Sequence, residues 1–216
     1  MAAIFVTGGS GYMGRSLIVR LFQRGHSVRA VARQGSESKL PAGCQVIIGN
    51  ALDERTYAEH VTGCDVFVHL VGVAHPSPAK AAEFRQVDLV SIRAAVAAAT
   101  KAGVPHFVYV SVAHPAPVMK DYIAVRSQGE EMIRAAGLNA TILRPWYVLG
   151  PRHRWPVMLI PAYWLMERLP QTREASLRLG LVSLPQMVTA LVNAVENQAT
   201  GARIMQVPEI RRASLG

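Results

Sequence analysis

Tyr122 and Arg126 stand four residues apart in "DYIAVRSQGEE", a stretch with helical periodicity. That spacing places both side chains on one helix face. A tyrosine beside a fixed positive charge can donate or accept a proton, and an ordinary amphipathic helix yields the same pair without function. Ser111, in "HFVYVSV", is a hydroxyl that could join the pair. The second group with chemical potential is "VTGGSGYMG", with Gly8, Gly11 and Gly14 in G-x-x-G-x-x-G spacing. Glycines there let the backbone approach a pyrophosphate, and the following helix offers free N–H groups to the anion.

These residues need a scaffold, and the order of elements supplies one. "AIFVT", "SVRAVAR", "CQVIIGN", "DVFVHLVG", "HFVYVSV" and "NATILRP" read as strands. Helical segments separate most of them, including "GRSLIVRLFQRG", "AKAAEFRQVDLVSIRAAVAAATKAG" and "MKDYIAVRSQGEEMIRAAG". This rhythm predicts an α/β fold: a Rossmann-type, doubly wound parallel sheet with helices on both faces. Residues 1–150 form the nucleotide-binding core of this reading. Residues 151–216 form an extension of the same domain, folded over the edge where ligands bind. "LPQMVTALVNAVEN" reads as a helix there and "ARIMQV" as a short strand.

The end of the second strand bears on the choice of nucleotide. An NAD site places an acid there for the ribose 2′-OH. Here "VRAVAR" ends in Arg33, and no acid precedes Glu37. A guanidinium suits a 2′-phosphate, so the expected cofactor is NADP, with NAD as the alternative. Arg29 is expected to point to the opposite face.

Composition narrows the classes. The chain of 216 residues carries a net charge of +9 from nineteen arginines and four lysines, against fourteen acids. The excess is spread along the chain and favours phosphate-bearing small molecules. No aromatic-basic cluster or basic helix marks a nucleic-acid or membrane-binding face. Cys44 and Cys64 read as free thiols of a reducing, cytoplasmic compartment. The histidines show no metal spacing with Cys, Asp or Glu, so no metal is expected. The N-terminus runs straight into a strand and does not read as a signal peptide. "WPVMLIPAYWLM", residues 155–166, is shorter than the roughly 20 apolar residues a bilayer span needs. With Trp155, Tyr163 and Trp164 it reads as a hydrophobic cover or the wall of an apolar pocket.

Taken together, "TGGSGYMG", "VRAVAR", "GNALD", "VFVHLVG", the serine after the fifth strand, Tyr-x-x-x-Arg with Glu130 four residues later, and "ILRPWYVLGP" resemble the short-chain dehydrogenase/reductase superfamily. The resemblance covers about residues 1–150 and is to its atypical branch, near NmrA-like proteins and the accessory NAD(P)H-binding subunit of respiratory complex I. It implies that Ser10, Gly11, Tyr12 and Met13 wrap the pyrophosphate. It implies that Asn50, Ala51 and Leu52 flank the adenine, although relatives usually carry Asp where Asn50 stands. Leu70, Val71 and Gly72 would line the ribose, and Pro145, Trp146 and Tyr147 would sit near the nicotinamide. Ser111, Tyr122 and Arg126 take the catalytic positions. Active relatives have lysine where Arg126 stands, to hold the nicotinamide ribose and ease the tyrosine's proton transfer. Arginine keeps the charge and the ribose bond but does not deprotonate, so it cannot join a proton relay. Lys120, two residues before Tyr122, lies on the wrong side of the helix to replace it. Two functions follow. One is an NADP(H)-dependent reductase of a small apolar carbonyl or alcohol, with Tyr122 as proton donor. The other is a non-catalytic NAD(P)H-binding sensor or assembly factor with a protein partner. His114 and His69 are weaker candidates, the first as a solvated loop residue and the second as a satisfied polar group of the core or cofactor face.

Overall fold

A computed structural model describes residues 1–150 and 170–214. Its centre is a seven-stranded, all-parallel sheet. The strands are β1 (Ala3–Thr7), β2 (Ser27–Ala32), β3 (Gln45–Ile48), β4 (Val66–His69), β5 (His106–Val110), β6 (Ala140–Leu143) and β9 (Ala202–Met205). Their spatial order is β3-β2-β1-β4-β5-β6-β9. A short parallel pair, β7 (Tyr147–Leu149) and β8 (Leu181–Ser183), lies apart from the main sheet.

The strands alternate between two cores. Ile4, Val6, Val66, Val68 and Val108 face one side, against Leu17, Ile18 and Leu21 of α1 (Tyr12–Gln23). Phe5, Phe67, Phe107 and Tyr109 face the other, against Ile92, Ala95 and Ala99 of α2 (Leu89–Lys101) and Ile133 of α3 (Lys120–Ala135). The rings of Phe5 and Phe67 lie 5.1 Å apart and those of Phe67 and Phe107 5.2 Å apart, so one aromatic row ties β1, β4 and β5 together. Period-two alternation with both faces apolar is what a doubly covered parallel sheet requires.

The long helix expected over residues 79–103 is not uniform. A helical turn (Ala81–Glu83) leads into a π-helical turn (Phe84–Asp88), and α2 follows without a break. Glycines end the helices as expected: Gly103 has φ +62° and Gly137 φ +68°, a region that favours glycine.

After residue 169 come α4 (Pro170–Arg178), α5 (Leu184–Glu196) and α6 (Val207–Arg212). Ser183 and Gln186 form a reciprocal capping box at the start of α5. Met187, Leu191 and Val195 of α5 join the α1 core, and β9 extends the sheet beside β6. The later part of the chain thus supplies core as well as edge. The apolar run with Trp155, Tyr163 and Trp164 lies outside the described residues. No helix among the described residues is long and apolar enough to cross a membrane.

Candidate cofactor cleft and active site

Since every strand of the main sheet runs the same way, the segments after Thr7, Ala32, Ile48, His69, Val110 and Leu143 gather at one edge. The chain order turns outward in both directions between β1 and β4, the position at which such sheets form a ligand crevice.

The glycine loop fills one side of that crevice. Gly8 has φ +80°, and a Cβ on it would lie 2.7 Å from the carbonyl carbon of Leu70. The β1 and β4 ends are therefore in backbone contact. A Cβ on Gly14 would overlap the Gly8 carbonyl. Gly11 is different: a Cβ there would meet only the Gly8 oxygen, at 3.2 Å, and the residue is exposed. Gly8 and Gly14 shape the turn, and Gly11 faces the open side. Gly11 is also the N-cap of α1, with no side-chain cap and no acid in the first turn. The first amides of α1 are left without a capping side chain, and nothing acidic opposes an anion there. Ser10, Tyr12 and Met13 are half-buried around the turn, and Met13 packs into the core.

At the neighbouring strand ends, Arg33 is exposed and makes no side-chain bond among the described residues. Arg29 instead donates to the carbonyls of His60 and Thr62, away from the cleft. Asn50 closes a turn by accepting from Leu52 N at 3.1 Å, and its own N–H donates to Thr56 Oγ1 at 2.9 Å. Ala51 and Leu52 are half-buried beside it. This edge carries a glycine-rich turn, a helix end without a capping side chain and the exposed Arg33 guanidinium, the features that a nucleotide phosphate needs.

Tyr122 and Arg126 do share a face of α3, but they lie at different depths. Tyr122 is half-buried, while Arg126 is 5% exposed. The guanidinium carbon sits 5.2 Å from the centre of the Tyr122 ring and 5.8 Å from that of Tyr109. It meets Asp88 Oδ1 at 2.6 Å and donates to the Val110 carbonyl at 3.0 Å and the Val71 carbonyl at 3.4 Å. Burial works against the charged guanidinium, but Tyr122, Tyr109 and Asp88 more than offset it, so its pKa is raised. Burial likewise pushes the Asp88 carboxyl up, opposed by Arg126 and the Val73 N–H. Phe84, one turn before Asp88, packs on the Tyr122 ring at 4.9 Å. Two i,i+4 pairs thus face each other, Phe84 with Tyr122 and Asp88 with Arg126.

Ser111 is 3% exposed, and its hydroxyl donates to Glu130 Oε1 at 2.7 Å. Glu130 also binds Arg144 through both oxygens and Arg134 at 3.1 Å. Burial alone would raise its pKa, but the bonds from Arg144 and Ser111 hold the carboxyl below its ordinary value. His114 Nε2 stands 3.6 Å from the same carboxylate. Burial, followed by the Arg144 charge, lowers the His114 pKa. His69 is a core group: Nδ1 pairs with Thr7 Oγ1 at 2.8 Å and Nε2 with Ser91 Oγ at 3.3 Å. Burial, helped by Arg126, takes its pKa down to about 3, so it is neutral.

The mouth of the cleft is aromatic. Tyr12 is half-buried beside Gly150, and burial with the nearby Tyr147 and Tyr122 phenols pushes its pKa up to about 12. Trp146 packs on the α1 core, and the buried Pro145 accepts from Ala113 N at 2.9 Å. Among the described residues no cluster of His, Cys, Asp or Glu could hold a metal ion.

A profile of the NAD(P)H-binding family matches residues 8–154, well over half of the chain. The chain belongs to that family. It is 32% identical over 168 residues to the 4-hydroxy-2-methyl-3-oxo-4-farnesyl-3,4-dihydroquinoline-1-oxide ketoreductase of Stigmatella aurantiaca, covering 68% of this chain and 50% of that one. It is 26% identical over 211 residues to the ceramide reductase of Caulobacter vibrioides, covering 97% of this chain and 65% of that one. The chain thus spans about half to two thirds of the length of these relatives. A short-chain dehydrogenase/reductase superfamily protein from Agrobacterium tumefaciens, solved with NAD bound, superposes with a TM-score of 0.70 at 19% identity, over 94% of this chain and 77% of that one. The Bordetella bronchiseptica enzyme WbmH, in complex with NAD+, superposes with a TM-score of 0.70 at 21% identity, over 95% and 76%. At such identities the match speaks for the fold.

In this NAD(P)H-binding chain, sequence reasoning missed Asp88, Phe84, Tyr109 and Arg144. Asp88 alone left a signal, as an acid within the apolar run "VDLVSIRAAVAAA". A charge there has to find a buried partner.

Proposed function

We propose that the chain binds NADP(H) across the glycine loop and reduces an apolar ketone, with Tyr122 giving the proton. The observation that carries this reading is the placement of Tyr122: half-buried at the cleft, one ring face over a fixed guanidinium and near Tyr12 of the glycine loop. A bound nicotinamide supplies the hydride. Tyr122 then donates its phenolic proton to the developing alkoxide, a contribution of about 10²–10⁴ in rate for a positioned acid. Arg126 supports the negative phenolate left behind but passes on no proton, so Tyr122 is reprotonated from solvent. Arg33 supports NADP over NAD, since it is exposed and has no acid beside it to grip a ribose hydroxyl. The apolar substrate class rests on the aromatic mouth and on the names of the relatives, a farnesyl-quinoline ketoreductase and a ceramide reductase.

One observation favours a second reading, a nucleotide-binding sensor without turnover. Ser111 gives its only proton to Glu130, so it has none for a substrate carbonyl. NADPH consumption over a panel of apolar ketones separates the two. The reductase reading expects turnover that Tyr122→Phe abolishes, with NADPH affinity kept within about threefold. Binding without turnover by the unmutated chain favours the sensor.

A further inference from the structure

The Asp88–Arg126 pair brackets Gly72. Arg126 donates to the carbonyl of the residue before it, Val71, at 3.4 Å. Asp88 Oδ2 accepts from the N–H of the residue after it, Val73, at 3.0 Å. The two side chains close on each other beneath it at 2.6 Å. A Cβ on Gly72 would overlap Arg126 Nη2 and stand 3.2 Å from Asp88 Oδ1. Gly72 has no positive φ, so space and not backbone conformation requires glycine there. Both charges are buried, while Gly72 itself is exposed. Arg126 also holds the Val110 carbonyl at the end of β5. On the other side, a Cβ on Gly8 of the glycine loop would stand 2.9 Å from the Leu70 carbonyl oxygen, so the two backbones lie close.

We infer that Asp88 is a positioning residue of the cofactor cleft: with Arg126 it clamps the backbone of residues 71–73 in the shape that receives the nucleotide. This rests on the reading that the nucleotide occupies this cleft. The arginine at the position where the family resemblance implies lysine then has a physical explanation. Its fork serves two carbonyls and a carboxylate at once, which a single ammonium does less well. Asp88 balances the buried charge that this requires.

The test uses the full chain, with NADPH fluorescence titration and amide hydrogen exchange of the nucleotide-free protein. Asp88→Ala is expected to weaken NADPH binding about tenfold or more. It should speed Val73 amide exchange by a similar factor, while the core Phe107 amide keeps its protection. Gly72→Ala is expected to weaken binding likewise, by displacing the guanidinium. In an Arg126→Ala background the same methyl no longer meets the guanidinium and keeps only the 3.2 Å approach to Asp88 Oδ1, so Gly72→Ala should cost less than about twofold more. A chain in which either single variant binds NADPH like the parent, with unchanged Val73 exchange, overturns the clamp. So does full additivity of Gly72→Ala and Arg126→Ala. If Asp88→Ala does not fold, the Gly72 pair of variants decides alone. Failure of the parent to bind NADPH or NADH overturns the proposed function, and the clamp's role with it. Parent binding with unaltered variants overturns the clamp alone.

Discussion

Ser111 donates its hydroxyl proton to Glu130 Oε1 across 2.7 Å, deep in the fold. The serine is thereby an acceptor toward anything else it meets. It also anchors a carboxylate that serves Arg144 and Arg134. Ser111→Ala should lower stability by about 1.5–3 kcal/mol, the scale of a hydrogen bond to a charged group. NADPH affinity should stay within about twofold of the parent. Glu130→Ala, which strands Arg144 next to a buried space, should lower stability by about 3–5 kcal/mol. Urea unfolding followed by calorimetry on the folded variants checks both. A Ser111→Ala protein with parental stability but a large loss of NADPH affinity would place the serine on the cofactor instead.

The proposed preference for NADP rests on Arg33. A charge-assisted phosphate contact contributes roughly 1.5–3 kcal/mol, about tenfold or more in dissociation constant. NADPH should therefore bind at least tenfold more tightly than NADH, and Arg33→Ala should remove most of the difference. Equal affinities in the unmutated chain, from competitive titration, contradict this assignment.

How much was legible in advance follows from distance along the chain. The glycine loop, the strand and helix that flank it and the helix-ending glycines are local signals, written within a few residues. Tyr122 over Arg126 is also local, since helix spacing dictates it. The partners of those residues are not local. Glu130 reaches Ser111 across nineteen positions, and Arg126 meets the Val71 carbonyl across fifty-five. Such contacts depend on how α3 settles against the π-helical turn, which periodicity does not specify. A turn of this kind is a local departure inside an otherwise regular helix, and its residues show only ordinary helical spacing in sequence.

Two buried histidines set an acid limit. Burial takes the His69 pKa down to about 3 and that of His106 to about 4, so both are neutral in the fold. In the unfolded chain they titrate near about 6.5. As pH falls from about 6.5 to about 4, the unfolded state gains two protons that the native state refuses, and stability drops. Each histidine contributes up to about 1.4 kcal/mol per pH unit in that window. Asp88, its carboxyl pushed up by burial, opposes part of the loss. His106→Gln, whose amide reaches the place of the Nε2 that pairs with Thr141 Oγ1, should reduce the slope by one proton. Urea unfolding at a series of pH values from about 4 to about 7, the range in which the unfolded histidines titrate, measures it, and an unchanged slope rules out this source.

The proposed function requires a nicotinamide nucleotide to lie across the turn from Gly8 to Gly14. Gly11 is the position to probe, because a side chain there meets one carbonyl oxygen at 3.2 Å and otherwise projects into the cleft. Calorimetric titration of NADPH into the parent and into Gly11→Val, with circular dichroism to confirm the fold, is the direct measurement. The expected result is binding by the parent and none by a folded Gly11→Val protein. A folded Gly11→Val protein that binds NADPH as tightly as the parent would contradict it.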